Sequence, residues 1–324
     1  MTIVSRLSAG ILLLVIFSLC LIGCGDNAQK HLNIARSRRD KGNFREALVE
    51  YNAAIRIDPT DPQSLFERAG VRDSLNDLPG AIADYSRVVM IRPNDTMAYL
   101  HRGSRKGDLE HYDEALKDFD TVVSLAPNFA TGYLYRGCCR ELLSQYDSAI
   151  ADFSHMIRLD STNSLAYFYR GRMENYVKRF HDAFDDENRS LALDPKRGIA
   201  YLERGKARLL LHDPQGAKND CDTAIQLTPD SYLMYLTRAM TKSDLKDYAG
   251  AIQDCEYVIA HDRNLYFSYT LRGEAREKLG GHSGAAADLR TADSLKKVTN
   301  AKPTASTDAG TFEFQTKSAD GNRK

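Results

Sequence analysis

Apolar and compact positions recur along this chain at helical spacing, and the whole pattern returns every 34 residues. Aligning the prolines gives Pro59, Pro93 and Pro127, then Ser161, then Pro195 and Pro229, with Arg263 and Lys297 continuing the count. A compact residue precedes each by the same interval, at Ala47, Ala81, Ala115, Ala149, Ala183, Ala217, Ala251 and Ala285. Gly or Ala also recurs at Ala35, Ala69, Gly103, Gly137, Gly171, Gly205, Ala239 and Gly273, and a bulkier set runs Tyr51, Tyr85, Phe119, Phe153, Glu187, Cys221, Cys255 and Leu289. Counting each unit from residue 28 onward, these are positions 20, 8 and 24. Small residues at 8 and 20 let two helices approach closely, so each unit predicts an antiparallel helical hairpin with its apolar seam between. A hairpin alone leaves a face uncovered, and stacking on a neighbour buries it. Position 28 is Ile55, Val89, Val123, Ile157, Leu191, Ile225 and Ile259, but Asp293 in the last unit, where Ala286 also replaces the usual larger apolar residue. The array therefore ends there, with that face in water.

This pattern resembles the tetratricopeptide repeat family over residues 28–299, as eight units at 28–61, 62–95, 96–129, 130–163, 164–197, 198–231, 232–265 and 266–299. The resemblance implies an all-α fold, a right-handed superhelical solenoid of eight antiparallel helix hairpins, with a concave surface lined by the first helices. Glu187 is the clearest departure from the family pattern. Residues 300–324 lose the period and read as a disordered tail, with Phe312 and Phe314 as a short docking motif the alternative to plain disorder.

The charges add a second repeat. Arg occupies position 7 at Arg68, Arg102, Arg136, Arg170, Arg204, Arg238 and Arg272, and Asp occupies position 23 at Asp84, Asp118, Asp152, Asp186, Asp220, Asp254 and Asp288. The first unit lacks both, with Ile34 and Glu50 instead. Two readings are open: an anion-binding stripe, or a ladder of charge-assisted structural pairs pointing into one wedge against the preceding unit. The joint absence from the unit that has no predecessor favours the ladder. Position 11 is also often basic, at Arg38, Arg72, Lys106, Arg140, Arg208, Lys242 and Arg276. With 44 basic and 44 acidic residues in all, no net field argues for nucleic acid.

The first residues follow another pattern. Arg6 is the only charge before Asp26, and an apolar run leads into Leu21, Ile22, Gly23 and Cys24. This resembles the lipobox of bacterial lipoproteins, which implies a leader over 1–23, cleavage before a lipidated Cys24, a short linker over 24–27, and a chain anchored in the cell envelope, periplasmic or surface-facing. Lys30, Arg36, Arg38, Arg39, Lys41 and Arg45 then lie close to the anchor, either facing anionic lipid or paired with acids of the next hairpin.

Candidate chemistry is sparse. The adjacent Cys138 and Cys139 and the repeat-related Cys221 and Cys255 do not suit a disulfide framework, and the eight His show no paired ligand spacing, so no metal, cofactor or catalytic residues are expected. In the family the concave side is formed by positions 2, 5, 9, 12 and 13. Here that implies a mostly apolar strip of Leu165, Phe168, Arg172, Tyr176, Ile199, Leu202, Lys206, Leu210, Leu233, Leu236 and Met240, in which position 5 also serves stacking. The subgroup that clamps chaperone carboxyl termini uses Lys at position 5 and Asn at position 9, and no unit has either. The expectation is a non-enzymatic, membrane-anchored scaffold holding an apolar or amphipathic segment of another envelope protein. A holder of unfolded envelope clients is the alternative, and a glycan-handling or enzymatic role a weaker one.

Overall fold

The computed structural model describes residues 27–301. The expected leader, Cys24 and the segment from 302 onward lie outside the described residues. Sixteen α-helices and no strand occur among the described residues. They are α1 (27–40), α2 (Phe44–Ile57), α3 (Pro62–Ser74), α4 (Leu78–Ile91), α5 (Thr96–Asp108), α6 (Tyr112–Leu125), α7 (Ala130–Leu142), α8 (Tyr146–Leu159), α9 (Ser164–Tyr176), α10 (Phe180–Leu193), α11 (Gly198–Leu210), α12 (Pro214–Leu227), α13 (Tyr232–Asp244), α14 (Tyr248–His261), α15 (Tyr266–Lys278) and α16 (His282–Ala301). Successive pairs form hairpins 1 to 8. The chain divides into two compact units, one reaching Gly132 and the other starting at Tyr133.

Local chemistry starts and stops these helices. Asp61, Asp95 and Asn163 cap the first helices of their hairpins, and Asp77, Asp213 and Asp247 cap second helices, each accepting from backbone N–H groups of the opening turn. Such caps stabilise a helix by about 1 kcal/mol each. Pro62, Pro79 and Pro214 sit in the first turn, where no intrahelical donor is lost. Inside every hairpin the turn is the same. The N–H at position 16 donates to the carbonyl at position 11, as Asp77 does to Arg72 at 2.9 Å, and position 15 has a left-handed backbone. That residue is Gly42 and Gly280 in the end hairpins, and Asn76, Glu110, Ser144, Lys178, His212 and Lys246, all with φ between 56° and 62°, in the others.

The seam of each hairpin depends on close approach. A Cβ on Gly103 would stand 2.8 Å from Phe119 Cε1, and one on Gly137 would stand 2.6 Å from Phe153 Cε1. In the unit up to Gly132, Leu32, Ala35, Ala47, Tyr51, Ala54 and Val71 form one buried cluster, and Ile55, Leu65, Val88, Val89 and Ala98 the next. In the second unit the same logic gives Leu202, Ala224 and Met234, then Ala239, Ala251, Cys255, Leu271 and Ala275. Each cluster draws on more than one hairpin, and that of Ile55, Leu65, Val88, Val89 and Ala98 reaches from α2 to α5, so apolar burial here is shared between neighbours. Within the second unit the first helices α9, α11, α13 and α15 run side by side, which places their outer positions on one surface.

Candidate binding surface

The charged ladder is built inside the stack. Arg68 grips Asp84 with two donors, Nε at 2.8 Å and Nη2 at 2.6 Å. The same fork recurs in Arg102–Asp118, Arg136–Asp152, Arg170–Asp186, Arg204–Asp220, Arg238–Asp254 and Arg272–Asp288, with Nη2 at 2.6 or 2.7 Å throughout. The aspartates are 1–6 % exposed. A further donor, Nη1, reaches back to position 25 of the preceding hairpin, to Asn52 from Arg68, Ser154 from Arg170, Asn188 from Arg204 and Asp222 from Arg238. The hydrogen bond to its own aspartate is the main reason the Arg170, Arg238 and Arg272 guanidinium groups hold their protons more tightly than usual. In hairpin 1, Glu50 is met instead by His31 at 2.6 Å and Arg38 at 3.0 Å.

Position 11 completes the ladder. Arg72, Lys106, Arg140, Lys242 and Arg276 each place a second cation 2.6–3.0 Å from the aspartate of their own hairpin. A third partner was missed in the sequence. Position 4 is Tyr99, Tyr133, Tyr167, Tyr201, Tyr235 and Tyr269, and each ring lies 5.1–5.8 Å from the guanidinium of its position-7 arginine. The regular spacing of those tyrosines was the available signal. With Nε and Nη2 of each position-7 arginine on a buried carboxylate and, in six of the seven, a tyrosine ring against the guanidinium, the ladder is taken up by internal pairs.

The eleven groove residues separate into two sets. Leu165, Tyr176, Ile199, Lys206, Leu233, Leu236 and Met240 are partly exposed, and Leu210 is 51 % exposed. Phe168, Leu202 and Arg172 are corrected from surface to interior, at 4 %, 1 % and 7 % exposure. Position 5 is used up in stacking, since Leu202 packs with Ala224 and Met234. Arg172 lies over the rings of Phe168 and Tyr169 and donates through Nη2 to Glu141 of hairpin 4. Beside it Glu203, 5 % exposed, accepts from Lys206 Nζ at 3.0 Å and from Asn175. Burial raises the Glu141 carboxyl above its ordinary range, against the pull of Arg172. The surface is thus apolar along its edges, at positions 2 and 13, over a charged floor of Glu141, Arg172, Glu203 and Lys206. The sequence showed the edges and missed the acids of the floor.

The basic residues of the first hairpin are partly neutralised. Arg36 makes a bidentate pair with Glu67 of hairpin 2, both bonds 2.8 Å, Arg38 meets Glu50, and Arg39 meets Asp40. Acids of its own and the next hairpin therefore take three of the six. Lys30, Arg38 and Lys41 border an open hollow of about 730 Å³ along α1 with Gln29, Asn33, Ile34 and Ser37.

Cys138, Cys139, Cys221 and Cys255 are all buried. Burial pushes the Cys138 thiol well above its ordinary value and those of Cys221 and Cys255 up to about 12, so these sulfurs are packing groups and not thiolates. Among the described residues no group of three or more His, Cys, Asp or Glu is placed to hold a metal ion, and no helix is long and apolar enough to cross a membrane.

Family models match two stretches, one described as TPR repeat at residues 35–71 and one as tetratricopeptide repeat at residues 100–164. No curated protein matches the sequence. A tetratricopeptide repeat protein from Parabacteroides merdae has a similar structure, with a TM-score of 0.61 at 17 % identity over 77 % of this chain and 99 % of that one. PilF of Pseudomonas aeruginosa gives 0.55 at 14 % identity over 68 % and 99 % of the two chains. YrrB, described as a TPR protein with an unusual peptide-binding site, gives 0.50 at 21 % identity over 57 % and 95 %. The likenesses concern the fold: tetratricopeptide-repeat sequence at the two matched stretches, within an all-α architecture of packed helix pairs.

Proposed function

We propose that the chain is a lipid-anchored interaction scaffold of the bacterial cell envelope, and that the side-by-side first helices of hairpins 5 to 7 hold an apolar or amphipathic segment of a partner protein. The observation that carries this reading is the pair of apolar edges. Leu165, Ile199 and Leu233 on one side and Tyr176 and Leu210 on the other leave carbon surface in water, while the floor between them is polar. An amphipathic segment covers both edges with its apolar side chains and meets Lys206 with a polar one. Binding, with no chemical step, is the whole mechanism. The lipobox-like run ending at Cys24 supports the envelope and the anchor.

The test is crosslinking in cells followed by identification of what is captured. Ile199→Asp with Leu233→Asp is expected to lower capture of one stoichiometric partner by at least about tenfold, since roughly 1.4 kcal/mol already gives that factor. Cys24→Ser is expected to leave the chain unlipidated without affecting the folded domain's capture of the partner in solution. Unchanged capture by the double variant overturns the groove, and many substoichiometric clients in place of one partner overturn the scaffold in favour of a holder. An intact leader on the unmodified protein, seen by mass spectrometry, overturns the anchor.

A further inference from the structure

Hairpin 5 departs from its neighbours at two repeat positions, and both departures bury a carboxyl. Position 11, the second cation of the ladder elsewhere, is Glu174 here. Asp186 keeps its fork to Arg170, with Nε and Nη2 at 2.6 and 2.7 Å, but meets another carboxyl where Asp152 meets Arg140 and Asp254 meets Lys242. Glu174 is 7 % exposed and its Oε2 is unbonded. At position 24 the other hairpins carry an aromatic ring, Cys or Leu, and hairpin 5 carries Glu187. This side chain is fully buried, its Oε1 would lie 3.0 Å from a Cβ on Gly171, and neither of its oxygens has a hydrogen-bond partner.

The cations around these two carboxyls are committed elsewhere, and the nearest, Arg170 Nε, stands 4.0 Å from Glu174 Oε1. From α9 come Arg170, spent on Asp186, and Arg172, spent on Glu141 of α7. From α10 come Asp182 and Asp186, and from α11 come Glu203 and Arg204, the latter spent on Asp220. In hairpin 4 the position-24 residue Phe153 stacks on Tyr169 at position 6 of the next hairpin. After hairpin 5 the position-6 residue is Glu203, itself buried. A carboxylate with neither solvent nor a free cation is far less stable than the neutral acid.

We propose that the joint of hairpins 5 and 6 is closed by protons: Glu174 and Glu187 are neutral acids in the packed stack, and their ionisation loosens α9, α10 and α11 while hairpins 7 and 8 stay packed. Burial, and then the charge of Asp186, brings Glu174 up to about 8, and burial, and then Glu203, drives Glu187 well above its ordinary value. Both are raised, so the packed state binds more protons than the open one above the ordinary carboxylate range. Stability of the joint therefore falls as pH rises above the ordinary carboxylate range, and Glu174's share is lost by about pH 8. Ile199, Lys206 and Tyr176 ride on the helices concerned, so the proposed binding surface changes with the joint. The proposal itself does not rest on that function.

Hydrogen–deuterium exchange on the full chain tests it, from about pH 6 to about pH 9 and corrected for intrinsic rates, with α13 to α15 as internal reference. Wild-type protein is expected to lose protection in α9–α11 by about tenfold more than the reference. The double variant E174Q/E187Q, which keeps the shape of the neutral acids, is expected to show equal slopes. Parallel behaviour of the two segments in the wild type, or an unchanged pH response in the double variant, overturns the proposal. Should the variant fail to fold, infrared spectra of the wild type decide: the carbonyl band of a protonated, buried carboxyl is expected at neutral pH and bleaches on alkalinisation, and its absence at neutral pH overturns the proposal.

Discussion

Asp152 is shared by two cations, with Arg136 Nη2 2.6 Å from Oδ1 and Arg140 Nη1 2.6 Å from Oδ2, and only 2 % of its side chain reaches solvent. Removing the aspartate takes the shared carboxylate away from two mostly buried guanidinium groups. Asp152→Ala is expected to cost about 3–5 kcal/mol. A double-mutant cycle with Arg136→Ala is expected to show coupling above about 1.5 kcal/mol by urea unfolding. The same cycle on Arg179 and Asp147 provides the comparison, since that pair is as short, at 2.7 Å, but 49 % and 72 % exposed. Its coupling is expected below about 1 kcal/mol, and equal values for the two pairs would show that burial does not set the ladder's worth.

The left-handed turn residue makes a second prediction. Gly42 has φ of 78° and open space around its α-carbon, so Gly42→Ala meets backbone strain and nothing else. A loss of about 1–2 kcal/mol is expected. Gly70 also has open space, but within helix α3, and Gly70→Ala is expected to gain about 0.5–1 kcal/mol. Thermal unfolding of the two variants reads the opposite signs directly.

In the seam, the limit is distance. A methyl group on Gly137 would stand 2.6 Å from Phe153 Cε1 and Cζ, so Gly137→Ala is expected to destabilise by about 1–3 kcal/mol. Hairpin 8 shows the remedy, because Gly273 there faces Leu289, a smaller neighbour. Adding Phe153→Leu to Gly137→Ala is expected to cost less than the sum of the two single changes. Strict additivity in a calorimetric comparison would count against contact between the two positions.

Burial, and then the charge of Arg105, holds the His101 imidazole down near 4, below its ordinary 6.5, where it stacks on Tyr85 and meets the edge of Phe66. The folded state then binds fewer protons than the unfolded one between those values. Stability is intact above about pH 6.5 and falls as pH drops toward 4, by up to about 3 kcal/mol in all. Nearby Asp73 acts in the opposite sense, because burial raises it to about 6 and its contribution is lost as pH rises. The difference between wild type and His101→Phe isolates the histidine, since Asp73 is present in both. That difference is expected to favour the variant progressively in acid, and a pH-independent difference in urea midpoints would refute the assignment.

The repeat period was legible because helical seams are local: Ala47, Tyr51 and their equivalents recur at fixed intervals whatever the partner. The Arg–Asp ladder was legible through hairpin 1, where Ile34 and Glu50 replace both members at once. The turn was hidden. Six unlike residues, among them Lys178 and His212, adopt positive φ because the packed hairpin imposes it, and only Gly42 and Gly280 advertise the requirement. The floor of the binding surface was hidden for a different reason. Glu141 meets Arg172 across 31 residues and two neighbouring first helices, and a one-off contact leaves no recurring pattern in a single sequence. Phe168 and Leu202 show the complement: apolar character marked them, but only the packing says that position 5 is consumed by the stack.

The contacts between positions 24 and 6 bear on how eight similar hairpins find their proper neighbours. A fork such as Arg68–Asp84 looks alike in hairpins 2 to 8 and lies within its own hairpin, so it does not distinguish one neighbour from another. The 24-to-6 meetings differ: Tyr51 donates to Glu67 at 3.1 Å, Tyr85 stacks on His101, Phe153 stacks on Tyr169, and Cys255 packs with Leu271. A swapped order would set Tyr51 against an aromatic ring and strand Glu67 beside Phe153, a buried acid against carbon. These unlike meetings work as an address code, penalising wrong sequences of hairpins during assembly while the ladder supplies strength without regard to order.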